Sequence, residues 1–189
     1  MEPGKNASRC IQVAAEHRGR FSLDDGIGTV FRDLDRRQIG TKLLGAAIRA
    51  LVHDMHKCLP IRAGVVVANC TAILIPEVAG VGKSVFTAWS LHRGLRYASD
   101  ALAVLDPESL QVGGLPSALR IPSEMADAVL SAAPFLGCAF VPCGAATILR
   151  PETQPAGASG RWPVGIILFP VFQSGAALSI RPMSPAAAG

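Results

Sequence analysis

Residues 71–84 read Thr71-Ala72-Ile73-Leu74-Ile75-Pro76-Glu77-Val78-Ala79-Gly80-Val81-Gly82-Lys83-Ser84. An apolar β-type run enters a glycine-containing loop, and the loop ends in Lys-Ser where a helix is expected over Lys83 to about Arg93. That context makes residues 76–84 a phosphate-binding loop. Gly80 and Gly82 lack a Cβ, so backbone can wrap phosphate oxygens. The amides from Val81 to Val85 would point inward at the positive end of the helix dipole. Lys83 reaches the β- and γ-phosphates of a nucleotide as a point charge, and the Ser84 hydroxyl completes a magnesium shell. The expected cofactors are therefore a nucleotide and Mg2+.

The full pattern is Gly-x-x-x-x-Gly-Lys-Ser/Thr, and Glu77 stands at its first glycine. A backbone turn suited to glycine is expected to strain a glutamate there. Its carboxylate is also expected to repel a polyphosphate, by about 1 kcal/mol or more.

Upstream, Gly64–Ala68 and Thr71–Ile75 flank Asn69-Cys70, which predicts a tight hairpin. Downstream, Gly94 fits the position just past a helix C-terminus. Leu95–Ala98 reads as a short strand ending at Ser99-Asp100, and Leu102–Leu105 as another, closed by an Asp106-Pro107-Glu108 turn. Asp100 therefore sits at a strand end beside the loop. There it can bind magnesium or take the proton of an acceptor hydroxyl. Asp106 reads as a turn residue, and Arg93, Arg96 and Arg120 as surface cations.

Further out, residues 21–32 suggest two short strands around an Asp-Gly turn. Residues 36–57 form an amphipathic helix, with Ile39, Leu43, Leu44, Ala47, Ile48, Leu51, Val52 and Met55 as its apolar stripe. Another helix is expected from Pro122-Ser123-Glu124 to about Ala133. Strands are expected at 145–149, 164–169 (buried) and 177–181, with a loop over 151–161. Residues 1–20 and 186–189 read as poorly ordered, leaving one domain over 21–185. The fold class is α/β, a mixed sheet with flanking helices.

Half the 189 residues are hydrophobic and 17% are charged, a globular composition. No apolar run approaches the roughly 20 residues that span a bilayer. The N-terminus lacks a charged start with an apolar core, so the expectation is no signal peptide, no membrane partner and a cytoplasmic protein. The net charge of +4 is scattered, which argues against a nucleic-acid patch. Five cysteines without a Cys-x-x-Cys pair suggest reduced thiols. His53, His56 and Cys58 lie close in sequence, but no second ligand pair follows at zinc spacing.

These residues resemble the C-terminal domain of HPr kinase/phosphorylase. The resemblance is carried by Ala79-Gly80-Val81-Gly82-Lys83-Ser84, then Leu91-His92-Arg93-Gly94-Leu95-Arg96-Tyr97, then Ser99-Asp100-Ala101. Weaker likeness runs through Leu102–Asp106, Gly114–Ile121, 164–169 and Leu178–Pro185. The resemblance implies a P-loop kinase-like fold, related also to PEP carboxykinase, with ATP as the nucleotide and ATP-dependent phosphoryl transfer to a serine or other hydroxyl. It implies an unidentified protein or small-molecule acceptor and a homo-oligomer. It gives Asp100 as base, with a second acid that here is Ala101, and it places a histidine where this chain has Arg62. The alternative expectation is a catalytically degenerate relative serving as a nucleotide-binding or regulatory module.

Overall fold

The computed structural model describes residues 10–53, 55–77, 82–132, 140–143, 146–149, 160–171, 177 and 179–184. The chain divides into two compact units, Met1–Pro60 and Ile61–Gly189. That division falls inside the stretch 21–185 that the sequence reads as one domain.

In the first unit β1 (Gln12–Ala15), β2 (Phe21–Asp24) and β3 (Val30–Leu34) form an antiparallel sheet in that order. β1 thus lies in a stretch whose composition suggested little order. Helix α1 (Arg36–His53) starts on a reciprocal cap. The Asp35 carboxylate accepts from the Arg37 and Gln38 amides at 2.8 and 2.7 Å, and Gln38 Oε1 accepts from the Asp35 amide at 2.9 Å.

The helix ends at His53, short of the expected residue 57, and it does not bury the expected stripe. Leu43, Leu44 and Leu51 are exposed, and Ala46 is the buried residue, packed with Leu23 and Leu34. The reason lies in its cations. Lys42 and Arg49 stack on the Phe31 ring, with Lys42 Nζ 4.6 Å and Arg49 Cζ 5.6 Å from its centroid. Arg49 also donates to buried Asp25 at 3.0 and 3.2 Å. The row 39–42–46–49 therefore faces the sheet, and the long cation stems cover apolar surface. Burial works to raise the Asp25 carboxyl, but the Thr29 and Ile27 amides and Arg49 outweigh it and hold the group below its ordinary range.

The remaining strands are β4 (Leu59–Ile61), β5 (Ala63–Ala68), β6 (Thr71–Pro76), β7 (Arg96–Ser99), β8 (Leu102–Asp106), β9 (Gln111–Leu115), β10 (Leu119–Pro122), β11 (Phe140–Cys143), β12 (Ala146–Leu149) and β13 (Trp162–Ile167). Two more helices are α2 (Lys83–His92) and α3 (Ser123–Ala132). The larger sheet is mixed and has the order β4-β8-β9-β13-β6-β5-β7. A small antiparallel sheet has the order β10-β12-β11. This is a mixed α/β architecture, as the sequence indicated.

β5 and β6 form the expected hairpin, paired from Ala63↔Pro76 to Ala68↔Thr71. Asn69 and Cys70 both have left-handed φ, 47° and 62°, which matches the twist of the flanking strands. β13 joins the two halves of the sheet, antiparallel to β9 at Trp162 and parallel to β6 from Val164. The halves close on each other. Ala63, Val65, Val67, Ala72, Leu74 and Ala98 share one core with Ala103, Val112 and Trp162. The Ser99 hydroxyl of β7 lies 2.9 Å from the Leu115 carbonyl of β9.

Two strand expectations fail. β13 starts two residues early and exposes Ile166 and Ile167 instead of burying them. The described residues of 177–181 form no strand, and Ile180 is 82% exposed. Apolar composition alone marked both segments as buried, although scattered exposed apolar residues are normal on protein surfaces.

Odd-numbered residues of β5 face that core, and even-numbered residues face α2. On the α2 side, Ala88 packs with Tyr97, Leu119, Ile121 and Val129, and Val85, Leu91 and Met125 complete the cluster.

Candidate functional site

The site forms where α2 begins over the end of the β5–β6 hairpin. Gly82 precedes the helix with φ 80° and ψ 23°, a left-handed conformation that suits glycine. Its carbonyl accepts the first helical bond, from the Phe86 amide at 2.8 Å. Lys83 and Ser84 then project from the first turn. Val85 turns its side chain into the core behind the helix. Gly80 and Val81 lie outside the described residues.

Lys83 and Ser84 both meet Asp100. The Lys83 ammonium stands 2.8 Å from Asp100 Oδ1 and also donates to the Asp100 backbone carbonyl. The Ser84 hydroxyl donates to Asp100 Oδ2 at 2.6 Å. The pair is secluded, with side-chain exposures of 11% for Lys83 and 5% for Asp100. Asp100 holds its place because Ser99 ties the turn: the Ala101 and Leu102 amides donate to the Ser99 hydroxyl at 3.3 and 3.2 Å.

Two contributors were missed in the sequence. The Thr87 hydroxyl lies 3.0 Å from the Lys83 carbonyl and 3.3 Å from Asp100 Oδ1, two acceptors for one proton. Its place one turn after Lys83 is the only signal that could have found it. Gly64 supplies the floor. A Cβ there would stand 3.0 Å from Thr87 Oγ1, 3.5 Å from Asp100 Oδ1 and 3.6 Å from Lys83 Cγ.

Glu77 behaves differently from expectation. Among the described residues the non-glycine positions with positive φ are Arg18, Asp33, Asn69, Cys70 and Leu110, so Glu77 carries no such strain. Its carboxylate does not stand alone either. Arg62 donates to it twice, Nε to Oε2 at 2.9 Å and Nη2 to Oε1 at 3.2 Å, a fork geometry. The Glu77 amide donates to the Arg62 carbonyl at 2.8 Å, extending the hairpin ladder by one bond. The carboxylate raises the Arg62 guanidinium further above its ordinary value.

The other singled-out residues lie apart from this network. Asp106 caps its own turn, accepting from Glu108 and Ser109. Arg93 and Arg96 sit over the Trp89 and Trp162 rings at 5.2 and 6.0 Å. Arg120 is exposed. Among the described residues no three His, Cys, Asp or Glu are grouped to hold a metal ion, and no helix is long and apolar enough to cross a membrane. A magnesium site here would thus draw only Ser84 and Asp100 from the described protein. That sparse donor set suits a cation that keeps waters and substrate phosphates as ligands.

Behind the site, the Tyr97 hydroxyl donates to the Ser117 carbonyl. Burial pushes the phenol up to about 12, and the Asp100 charge adds to the shift. The folded protein therefore keeps a proton that the unfolded chain releases near pH 10. This contribution is intact below pH 10 and is lost as pH rises toward 12, at most about 2–3 kcal/mol. Urea unfolding at pH 9 and pH 12 should show a steeper loss for the wild type than for Tyr97→Phe.

Comparison of the chain with family models, with curated proteins and with solved structures returned no match.

Proposed function

We propose that this protein is a P-loop, HPr kinase-like phosphotransferase that binds ATP at Gly80–Val85 and transfers its terminal phosphoryl group to a hydroxyl. The observation that carries the reading is the convergence of Lys83 and Ser84, at the start of α2, on Asp100 at the end of β7. Helix-terminal amides and a lysine suit phosphate, and a hydroxyl beside a carboxylate suits magnesium.

Each residue then has a task. Lys83 exchanges the Asp100 carboxylate for β- and γ-phosphate oxygens. Ser84 Oγ and Asp100 Oδ2 would hold a magnesium ion, which would supply neutralisation of phosphate charge. Asp100 Oδ1, released by Lys83, accepts the proton of the acceptor hydroxyl. The acceptor's own oxygen then bonds to the γ-phosphorus, the bond from that phosphorus to the β–γ bridging oxygen breaks, and ADP leaves.

Ala101, beside Asp100, favours a second reading: a nucleotide-binding module without transfer. Without a second acid, Asp100 alone must serve both the metal and the proton. Isothermal titration of ATP with magnesium, beside Lys83→Ala, tests the shared claim. Binding by the wild type and an affinity loss of about 100-fold or more in Lys83→Ala are expected. No heat from the wild type would sink the nucleotide reading. Binding without phosphate transfer to any hydroxyl acceptor would select the module.

A further inference from the structure

Arg62 and Glu77 face each other across the open end of the β5–β6 hairpin, one step beyond the Ala63↔Pro76 pair. Strand alternation puts Arg62 on the same face as Gly64, and Glu77 on the same face as Ile75. That face is the one α2 covers, since a Cβ on Gly64 would touch Thr87 and Lys83. Two residues along a strand span about 6.6 Å, so the ion pair stands at the edge of the Lys83–Asp100 site. Glu77 is also the last described residue before the glycine loop.

A lone carboxylate in that place would oppose any polyphosphate entering the loop. Here a guanidinium cancels it through two hydrogen bonds. We propose that Arg62 and Glu77 are a charge-compensating pair, and that Arg62 is the positioning residue that lets this phosphate loop carry a carboxylate at the place of its first glycine. The inference rests on the phosphate-loop reading above. It makes two departures from the motif into one feature. Either substitution alone would leave an unmatched charge at the mouth; together they leave a neutral one. The side chains are accessible, 80% for Arg62 and 35% for Glu77, so the effect is open to screening by salt.

The test is a four-member cycle of full-length protein titrated with ATP and magnesium: wild type, Arg62→Ala, Glu77→Gln and the double variant. Arg62→Ala should weaken binding about 10-fold, and the double variant should return to within about threefold of wild type. The deficit of Arg62→Ala should shrink at high salt, which a purely structural defect would not do. The swapped pair Arg62→Glu/Glu77→Arg should bind within about threefold of wild type. This variant guards against misfolding of a single one. A double variant as weak as Arg62→Ala would mean that Arg62 acts on the ligand itself, and would overturn compensation. Unchanged affinity in Arg62→Ala would overturn it as well. No binding by the wild type would remove the phosphate-loop reading, and this inference with it.

Discussion

Asp100→Ala is expected to destabilise the second unit by about 3–5 kcal/mol and to abolish the proposed phosphoryl transfer. The cost arises from what is left behind. Lys83 is nine-tenths buried, and its charge is balanced by one carboxylate. Without it the ammonium retains, among the described residues, the residue-100 carbonyl, a neutral acceptor. An uncompensated buried cation must lose its proton or open the site to water, and either route weakens the fold. The reciprocal change is milder. Lys83→Met leaves a carboxylate that still accepts from the Ser84 hydroxyl at 2.6 Å and has the Thr87 hydroxyl 3.3 Å away. Chemical denaturation should therefore rank Asp100→Ala well below Lys83→Met. A double variant, Asp100→Leu with Lys83→Met, should recover most of the loss, because an apolar pair can replace a buried ion pair at little cost. Equal losses in both single variants would show that the two partners are not buried as a unit.

How far the sequence revealed this site depends on the range of each interaction. The β5–β6 hairpin was legible because Asn69-Cys70 is a local turn signal, and α2 because Gly82 and Gly94 bracket it. Asp100 was legible because a short strand delivers it to the right end of the sheet. What escaped is non-local. The Arg62–Glu77 pair joins residues fifteen positions apart and forms only once β5 and β6 pair in register. Until then Glu77 looks like damage to a motif. Gly64 reads as the first residue of an apolar run, and only Thr87 and Lys83 packed above it explain the missing side chain. Strand β9 was missed because Gln111-Val112-Gly113-Gly114-Leu115 has poor β-propensity, yet its backbone pairs along the whole of β8. Helix α1 was read correctly as a helix and wrongly as to its buried face. Hydrophobic periodicity does not count the apolar stems of Lys42 and Arg49, which here lie against Phe31. The cap at Asp35 and Gln38 was a local signal available in the sequence and sharpens the helix start.

On the proposed function, removal of magnesium should weaken ATP binding by about 30-fold or more, and Asp100→Asn should erase most of that dependence. The argument follows from the closed pair. In the resting arrangement Lys83 and Asp100 neutralise each other, and Ser84 is committed to Asp100 Oδ2. A polyphosphate that takes Lys83 would leave the secluded Asp100 carboxylate without its cation, beside several more negative charges. At an effective dielectric near 20, like charges about 6 Å apart repel by about 2–3 kcal/mol, some 30- to 150-fold in affinity. A divalent cation held by Ser84 and Asp100 would remove that repulsion, so affinity for ATP and affinity for magnesium would rise together. Asn at position 100 still presents an oxygen toward Ser84 but carries no charge. Its ATP affinity without magnesium should therefore exceed that of the wild type, even though the variant transfers nothing. The two titrations, with magnesium and with chelator, separate this account from simple loss of the site. If Asp100→Asn weakens ATP binding equally in both, Asp100 supports the loop structurally and does not oppose the phosphates. If the wild type binds ATP equally in both, Lys83 does not have to leave Asp100 to meet the ligand, and the exchange of partners proposed for Lys83 is wrong.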